Sequence, residues 1–247
     1  MKYMGSKSKI AKHIVPILQD IIDKNGITVY VEPFVGGANV IDKISCQKRV
    51  GGDRQQYLIA LYQNLDKLPT LPENVSHEHY ADVRTHRLIG DGKYPDWYTG
   101  AIGFLASYNG RFFDGGYAGI VHTKAGTVRN YYQEARKNLE AQVPKLDGIE
   151  FLSGDYRETC SHFENALIYC DPPYHGTKQY GTGSFYHDEF WDWCRWMSER
   201  NVVIVSENTA RDDFECIWEQ PITRTMNNRE LNHSVERLFQ YDRREEP

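Results

Sequence analysis

The spacing of apolar residues predicts strands and helices that alternate near the N-terminus. Apolar side chains recur every three or four positions in 9–23, so we predict a helix there, with Pro16 as a candidate kink. The β-branched run in 27–34 predicts a buried strand. A second helical stretch is predicted after the glycine-containing segment 36–40, and residues 49–53 then form a brief strand that ends on an acid. This order is typical of a βαβ unit.

The pattern changes in the middle of the chain and then returns. Between residues 57 and 145, helical pieces alternate with glycine-rich aromatic loops, which indicates an insertion. Strands are predicted again at 149–155, 165–171 and 201–208, with a tryptophan-rich helix at 188–200. Such alternation favours a mostly parallel sheet covered by helices on both faces. In sheets of this kind, ligands bind at the carboxyl ends of the strands.

Composition narrows the class of protein. The chain has 247 residues, 40% of them hydrophobic, enough for the core of one large domain or of a domain with an insertion. We see neither a charged and then apolar leader nor an apolar run of membrane-spanning length, so we expect a soluble cytoplasmic protein. Five scattered cysteines without a Cys-x-x-Cys pair favour reduced core thiols over disulfides or a zinc site. No metal or membrane partner is expected.

Charge is unevenly distributed along the chain. The net charge of −5 argues against a protein that coats nucleic acid by bulk attraction. However, residues 1–12 contain four lysines and no acid, and residues 77–145 interleave arginines and lysines with many aromatic side chains. That mixture suits phosphate and base contacts, although an ordinary solvated surface has the same composition. We favour the basic face slightly.

Two predicted strand ends carry residues that suit a nucleoside-containing cofactor. The sequence EPFVGGANV (32–40) places Gly36 and Gly37 after a strand, where small residues let a ligand approach the backbone. It lacks the G-x-G-x-x-G of dinucleotide folds and the Lys-Ser/Thr of a P-loop, and a tight turn without a ligand is the alternative. Asp53, at the end of the next strand, can accept the hydroxyls of a ribose or cap a helix. Turn and acid together favour the cofactor.

The tetrad Asp171-Pro172-Pro173-Tyr174 directly follows a buried apolar strand. Proline inside a central strand would interrupt its hydrogen-bonded ladder, so both prolines are predicted just beyond the sheet, in a stiff turn at the ligand edge. The turn leaves the Pro172 carbonyl as a fixed acceptor beside the Asp171 carboxylate, and Tyr174 adds an aromatic face. Two converging acceptors and a ring suit an exocyclic amine on a flat heterocycle. An ordinary turn is the alternative.

The segments that carry a family resemblance are KYMGSKSKI (2–10), EPFVGGANV (32–40), Asp53, FLASYNGRF (104–112), GDY (154–156), DPPY (171–174) and VIVSEN (203–208). In this order they make the chain resemble the alpha group of Dam-type, D12 class DNA adenine-N6 methyltransferases, which use S-adenosyl-L-methionine (SAM). The resemblance implies an α/β fold, a Rossmann-like SAM-dependent methyltransferase sheet with an inserted, mainly helical domain. Residues 1–56 and 146–247 would form the SAM-binding catalytic domain, and residues 57–145 the DNA target-recognition domain.

The resemblance implies a role for each residue of a SAM site. The residues implied are Tyr3, Lys7, Glu32, Pro33, Phe34, Gly36, Gly37, Asp53, Asp155, Tyr156 and Asp171. Tyr3 and Lys7 would hold the methionine end of SAM, and Asp53 its ribose. Asp155 would accept from the adenine amine, with Tyr156 against the ring. A disordered basic terminus is the alternative for Tyr3 and Lys7.

The resemblance also implies a DNA-facing surface. Its residues are Lys9, Tyr108, Asn109, Gly110, Arg111, Lys124 and Arg129, with Arg224, Asn227, Asn228 and Arg229 on the C-terminal side. A structural loop packed by its own aromatics is the alternative at 108–111, and plain surface charge is slightly favoured for the C-terminal group. The insertion departs from the best-known members of the family, so the recognised DNA word does not carry over. The glycine-rich stretch 175–189 is predicted to close over substrate as a lid, or else to be an ordinary surface loop.

The implied reaction is direct methyl transfer to N6 of an adenine flipped out of double-stranded DNA. Tyr174 would stack on the base while Asp171 and the Pro172 carbonyl accept the N6 hydrogens, so the tetrad including Pro173 is the catalytic group. One alternative is transfer to another amine: cytosine N4, an RNA base or a protein glutamine. Another is a catalytically silent DNA-binding relative. We expect a monomer or weak dimer in the cytoplasm of a prokaryotic or phage-infected cell.

Overall fold

A computed structural model describes residues 1–122, 126–173, 185–226 and 230–242, and of 222–226 and 230–234 it describes the backbone. The predictions for Lys124, Tyr174, Asn227, Asn228 and Arg229, and for most of the lid, fall outside the described residues.

A seven-stranded sheet forms the centre of the molecule. The strands of the chain are β1 Val29–Glu32, β2 Lys48–Asp53, β3 Ile120–His122, β4 Val128–Asn130, β5 Ile149–Ser153, β6 Ala166–Cys170, β7 Val202–Glu207, β8 Phe214–Met226 and β9 Glu230–Tyr241. The sheet order is β5-β2-β1-β6-β7-β9-β8, and β3 pairs with β4 in a separate hairpin. The first five strands of that order are parallel, while β9 is antiparallel to both of its neighbours. The predicted mostly parallel α/β sheet is confirmed.

Seven α-helices lie in the described part of the chain. They are α1 Ala11–Asn25, α2 Gln56–Tyr62, α3 His77–Ile89, α4 Asp96–Leu105, α5 Tyr131–Leu146, α6 Tyr156–Thr159 and α7 His187–Ser198. Local sequence explains their ends: Ser76 caps α3 by accepting from the backbone N–H of His79, and Gly26 and Gly90 end α1 and α3 in the left-handed conformation. Pro16 lies within α1.

The helical stretch predicted after the glycine turn is wrong. Residues Ile41–Lys43 form a single 3-10 turn, and Ile44 is already extended with φ −82° and ψ 133°. Val40, Ile41 and Ile44 are all buried, so their apolar spacing reflects a packed turn and not a helix face. The chain then extends into strand β2, which begins at Lys48, whose N–H donates to the Thr28 carbonyl at 2.9 Å.

Alternating residues of each central strand supply two hydrophobic cores. Tyr30 and Leu167 pack with α1 to α5 on one face, whereas Val31 and Ile168 pack with α7 on the other. Burying an aliphatic side chain of this kind contributes about 1.5–3 kcal/mol. Helices α2 to α5 share the first core with α1. Helix α2 packs on β2 and β5, and α4 contacts both α2 and α3.

The topology brings the carboxyl ends of β1, β2, β5, β6 and β7 to one edge of the sheet. The predicted strand-end residues therefore meet along this edge. Among the described helices, none is both long and apolar enough to cross a membrane.

Candidate active site

Three charged side chains from distant parts of the chain meet at the carboxyl edge of the sheet. The Lys7 ammonium lies 3.0 Å from Oδ1 of Asp171, which follows β6, and 2.8 Å from Oε1 of Glu236 in β9. The Ser206 hydroxyl of β7 donates to the same oxygen of Glu236. Burial alone would lower the pKa of Lys7, but the neighbouring carboxylates outweigh it and raise that pKa. Lys7, only 8% exposed, is therefore a buried cation at neutral pH.

The segment that carries Lys7 is fastened to the turn after β1. Ser6 caps the 3-10 turn Lys7–Lys9 by accepting from the Ser8 N–H at 3.2 Å. The Asn39 side chain donates to the Ser6 hydroxyl at 2.8 Å and to the Met1 carbonyl at 3.0 Å. These bonds connect the two segments in which the sequence placed the cofactor residues.

Tyr3 packs directly on the glycine turn. Gly36 has φ +45°, and a Cβ there would lie 3.0 Å from Cε1 of the Tyr3 ring. A Cβ on Gly37 would lie 2.9 Å from Cβ of Tyr3 and 3.0 Å from the Met1 carbonyl oxygen. The next residue, Ala38, is also left-handed, with φ +54°. The glycine pair thus lets the N-terminal segment approach the turn closely, a reason that the sequence pattern did not reveal.

Asp53 holds the same turn from the end of β2. Its Oδ2 accepts from the Gly36 N–H at 3.1 Å, and its Oδ1 accepts from the Gln55 N–H at 2.9 Å. Burial raises the pKa of Asp53 to about 6, although the two hydrogen bonds that it accepts from backbone N–H groups act to lower that pKa. Each carboxylate oxygen has two lone pairs, so both oxygens retain the capacity to accept from a hydroxyl.

Glu32, at the end of β1, is buried against the sheet. The Tyr30 hydroxyl donates to its Oε1 at 2.7 Å, and Glu32 itself is 3% exposed. Burial raises the pKa of Glu32 to about 8, so the carboxyl is largely protonated at neutral pH. Pro33, next in sequence, is also buried. Neither residue offers a charged group to a ligand.

Asp155 and a group of aromatic rings lie beyond β5. Asp155 caps α6. Its Oδ1 accepts from the backbone N–H of Arg157 at 3.0 Å and from the Nε–H of the Arg157 side chain at 2.8 Å. Arg157 outweighs the effect of burial and lowers the pKa of Asp155. The Phe34 ring lies 5.3 Å from that of Tyr156 and 5.8 Å from that of Phe185. Phe185 was not predicted to lie here, because it falls within the stretch 175–189 that we assigned to a lid.

The prolines of the tetrad follow β6 as predicted. Asp171 is partly exposed, Pro172 is buried and Pro173 is partly buried, all three beyond the last strand residue, Cys170. The stacking role of Tyr174 stays a prediction.

Several residues predicted to face DNA line one small groove. It is bordered by Lys2, Tyr108, Asn109 and Tyr131, among others. Tyr108 is 56% exposed, and the Lys2 ammonium lies 5.9 Å from the centre of the Tyr131 ring. The groove therefore joins the basic N-terminal segment to the insertion. Gly110 also lines the groove, but it is buried, with φ +64°, and an added Cβ would meet the carbonyl of Lys2.

The other predicted basic residues differ in their surroundings. Lys9 is exposed. Arg111 forms an ion pair with Asp114, and Arg129 donates to both carboxylate oxygens of Glu134 at 2.9 and 2.6 Å. The position of Arg224 in β8 is described, but not its side chain. Within the described ranges, no group of three or more His, Cys, Asp or Glu side chains is placed to hold a metal ion.

Glu236 was missed by the sequence prediction. No local motif surrounds it, and only the insertion of β9 between β7 and β8 brings it to Lys7. Ser206, its other partner, lies within the VIVSEN segment, but its contact with a carboxylate could not be foreseen.

Comparisons with known proteins identify the family of the chain. A family model for D12 class N6 adenine-specific DNA methyltransferases matches residues 3–94 and 119–195, well over half of the chain. Among curated proteins, the type II methyltransferase M.FokI of Planomicrobium okeanokoites is 27% identical over 236 residues, covering 85% of this chain and 34% of its own length. The type II methyltransferase M.MjaIII of Methanocaldococcus jannaschii is 23% identical over 198 residues, covering 70% of this chain and 68% of its own length. The chain thus spans about a third of the length of M.FokI.

Two solved structures are also similar. A candidate RNA methyltransferase from Pyrococcus horikoshii has a TM-score of 0.42 and 9% identity, over 96% of this chain and 84% of that one. TrmN from Thermus thermophilus has a TM-score of 0.35 and 12% identity, over 91% of this chain and 46% of that one. No conclusion rests on scores this low. The family match, in contrast, supports a conclusion because it covers more than half of the chain. The chain belongs to the D12 class N6 adenine-specific DNA methyltransferase family.

Proposed function

We propose that the chain transfers a methyl group from SAM to N6 of adenine within a short, specific sequence of double-stranded DNA. The observation that carries the proposal is Asp171, placed after β6 at the ligand edge of the sheet and held by Lys7 at 3.0 Å. Membership of the family supports adenine as the target. The two type II relatives support sequence-specific methylation in a restriction-modification system.

The residues at the sheet edge fit SAM. Asp53 retains acceptor capacity for ribose hydroxyls, and the Phe34, Tyr156 and Phe185 rings provide an apolar surface for an adenine ring beside Asp155. When bound, SAM supplies an electrophilic methyl group on a positively charged sulfur. Lys7 already contacts two carboxylates, so a methionine carboxylate would have to share its ammonium with them.

The proposed roles at the reacting amine follow from charge. Adenine N6 is a weak nucleophile because its lone pair is delocalised into the ring. Asp171 and the Pro172 carbonyl accept the two N6 hydrogens, which concentrates the lone pair on nitrogen and orients it. As the methyl carbon bonded to N6, its bond to the SAM sulfur would break and leave neutral S-adenosylhomocysteine. The nitrogen would then carry the positive charge, which the Asp171 carboxylate would stabilise until an N6 proton leaves to solvent. Tyr174 stacks on the extruded base, which returns about 1–3 kcal/mol of the cost of flipping.

We assign DNA recognition to residues 57–145 and catalysis to 1–56 with 146–247. The groove lined by Lys2, Tyr108 and Tyr131 supports the assignment. It combines a cation with the exposed ring of Tyr108 and the partly exposed ring of Tyr131, where residues 57–145 meet the N-terminal segment. Exposed Lys9 adds a second cation from the same segment.

Incubation of the purified protein with SAM and unmethylated DNA, followed by sequencing that detects modified bases, tests the proposal. We expect methylated adenine in one short word, and its loss in Asp171→Asn, which keeps the shape of the side chain but removes its charge. Asp192→Asn is a matched control, since Asp192 is a 74% exposed acid on α7. Modification of cytosine, RNA or protein, or SAM binding without transfer, would contradict the proposal.

A further inference from the structure

Glu236 lies at the candidate site although it comes from the other end of the chain. Strand β7 separates β9 from β6, yet Glu236 and Asp171 both contact the Lys7 ammonium. Glu236 is 1% exposed and accepts from the Ser206 hydroxyl as well as from Lys7. A buried carboxylate is costly unless it is paired and hydrogen-bonded, and here both conditions are met.

We infer that Glu236, held by Ser206, is a positioning residue that fixes the Lys7 ammonium against Asp171 and offsets its charge; the inference rests on the proposed function. Two hydrogen bonds on one oxygen of Glu236 define where the ammonium sits. Lys7 then contacts Asp171 through Oδ1, which orients that carboxylate.

The charge of the three side chains gives Glu236 a second effect. Lys7, Asp171 and Glu236 sum to −1, whereas Lys7 and Asp171 alone sum to zero. Both the sulfonium of SAM and the methylated nitrogen are cations, and a negative site stabilises them. Without Glu236, the Lys7 charge would oppose both.

Other titratable groups facing this cluster are Tyr169 of β6 and Glu32 of β1. Glu32 is largely protonated at neutral pH because burial raises its pKa to about 8. Its contribution to the local charge is therefore small, and Glu236 is the buried acid that offsets Lys7.

The experiment compares Glu236→Gln with wild type in the full chain by calorimetric binding of two ligands. SAM carries the sulfonium charge, whereas S-adenosylhomocysteine has a neutral sulfur and nearly the same shape. We expect Glu236→Gln to weaken SAM binding several-fold relative to that of S-adenosylhomocysteine and to lower kcat about tenfold. Glu219→Gln is the matched control, because Glu219 is a 62% exposed acid paired with Arg237 in the same β8 and β9 hairpin.

A charge effect also predicts a pH shift. Removal of the Glu236 charge leaves Lys7 without its buried counter-charge, so we expect the acid limb of the kcat profile to move to lower pH. Equal weakening of both ligands with an unmoved pH profile would overturn the inference, as would an unchanged kcat. If Glu236→Gln does not fold, Ser206→Ala, which keeps the carboxylate charge but loses its hydrogen bond, tests positioning alone. In that variant kcat should fall while the ratio of the SAM and S-adenosylhomocysteine affinities stays unchanged, and an unchanged kcat would overturn the inference. A wild-type protein that binds neither ligand would instead refute the proposed function, and this inference with it.

Discussion

The carboxylate of Asp53 accepts a hydrogen bond from the Gly36 N–H at 3.1 Å, so the end of β2 fixes the turn that follows β1. Tyr62 strengthens the same link from α2 by donating its hydroxyl to the Gly36 carbonyl at 2.7 Å. With Tyr3 packed on its outer side, Gly36 is bound through both backbone polar groups and has no room for a side chain. The proposed ribose-binding acid and the proposed cofactor turn are thus parts of one rigid unit.

Gly36→Ala should destabilise the protein and weaken SAM binding. The alanine would have to adopt φ +45° and push against the Tyr3 ring, so we expect a loss of about 1–3 kcal/mol in unfolding free energy. Gly26→Ala is the matched control: its φ is +61°, but no atom lies within 4 Å of the added Cβ. Urea denaturation and SAM titration measure both effects. If the two variants lose equal stability and keep SAM affinity, close packing by Tyr3 is not what requires Gly36.

Glu32→Gln should remove part of the pH dependence of stability. Burial raises the pKa of Glu32 from 4.5 to about 8 in the folded chain, so folding favours the protonated acid. The free energy that protonated Glu32 contributes to folding is fully present below pH 4.5 and is lost as the pH rises through about 8. Glutamine can still accept from the Tyr30 hydroxyl, so we expect the variant to gain stability relative to wild type across this interval. Urea unfolding at several pH values measures the difference; a constant difference would argue that Glu32 titrates normally.

The strand-end positions of the candidate residues could be predicted from the sequence, whereas contacts that depend on distant strand pairing could not. Asp53 and Asp171 could be predicted because each ends or follows an apolar run, and parallel strands align such ends. Glu236 could not, because its strand pairs with β7 from far along the chain. The predicted helix after the glycine turn failed for a different reason: Val40, Ile41 and Ile44 have the spacing of a helix face but are buried by a single short turn.

Lys7→Met should destabilise the fold because it leaves two buried acids without their cation. Breaking a buried ion pair from one side costs about 3–5 kcal/mol, and Glu236 is 1% exposed. The double variant Lys7→Met with Glu236→Gln should recover part of the loss, since only Asp171, 20% exposed, then remains uncompensated. Thermal unfolding of both single variants and the double variant measures the coupling. Additive losses would show that Lys7 and Glu236 do not interact in solution.

Lys2→Ala should weaken DNA binding without affecting SAM binding. Lys2 borders the groove with Tyr108 and Asn109, and its ammonium lies 5.9 Å from the Tyr131 ring centre. It is not among the residues proposed to bind SAM. If its charge meets a phosphate, the slope of log affinity against log salt should fall by about 1. Lys24→Ala is the matched control, because Lys24 is a 72% exposed lysine of α1 paired with Asp20. Fluorescence anisotropy of a labelled duplex at several salt concentrations measures the slope. Because loss of a phosphate contact weakens binding to all sequences alike, the recognised word should be unchanged; equal slopes for Lys2→Ala and Lys24→Ala would place the DNA elsewhere.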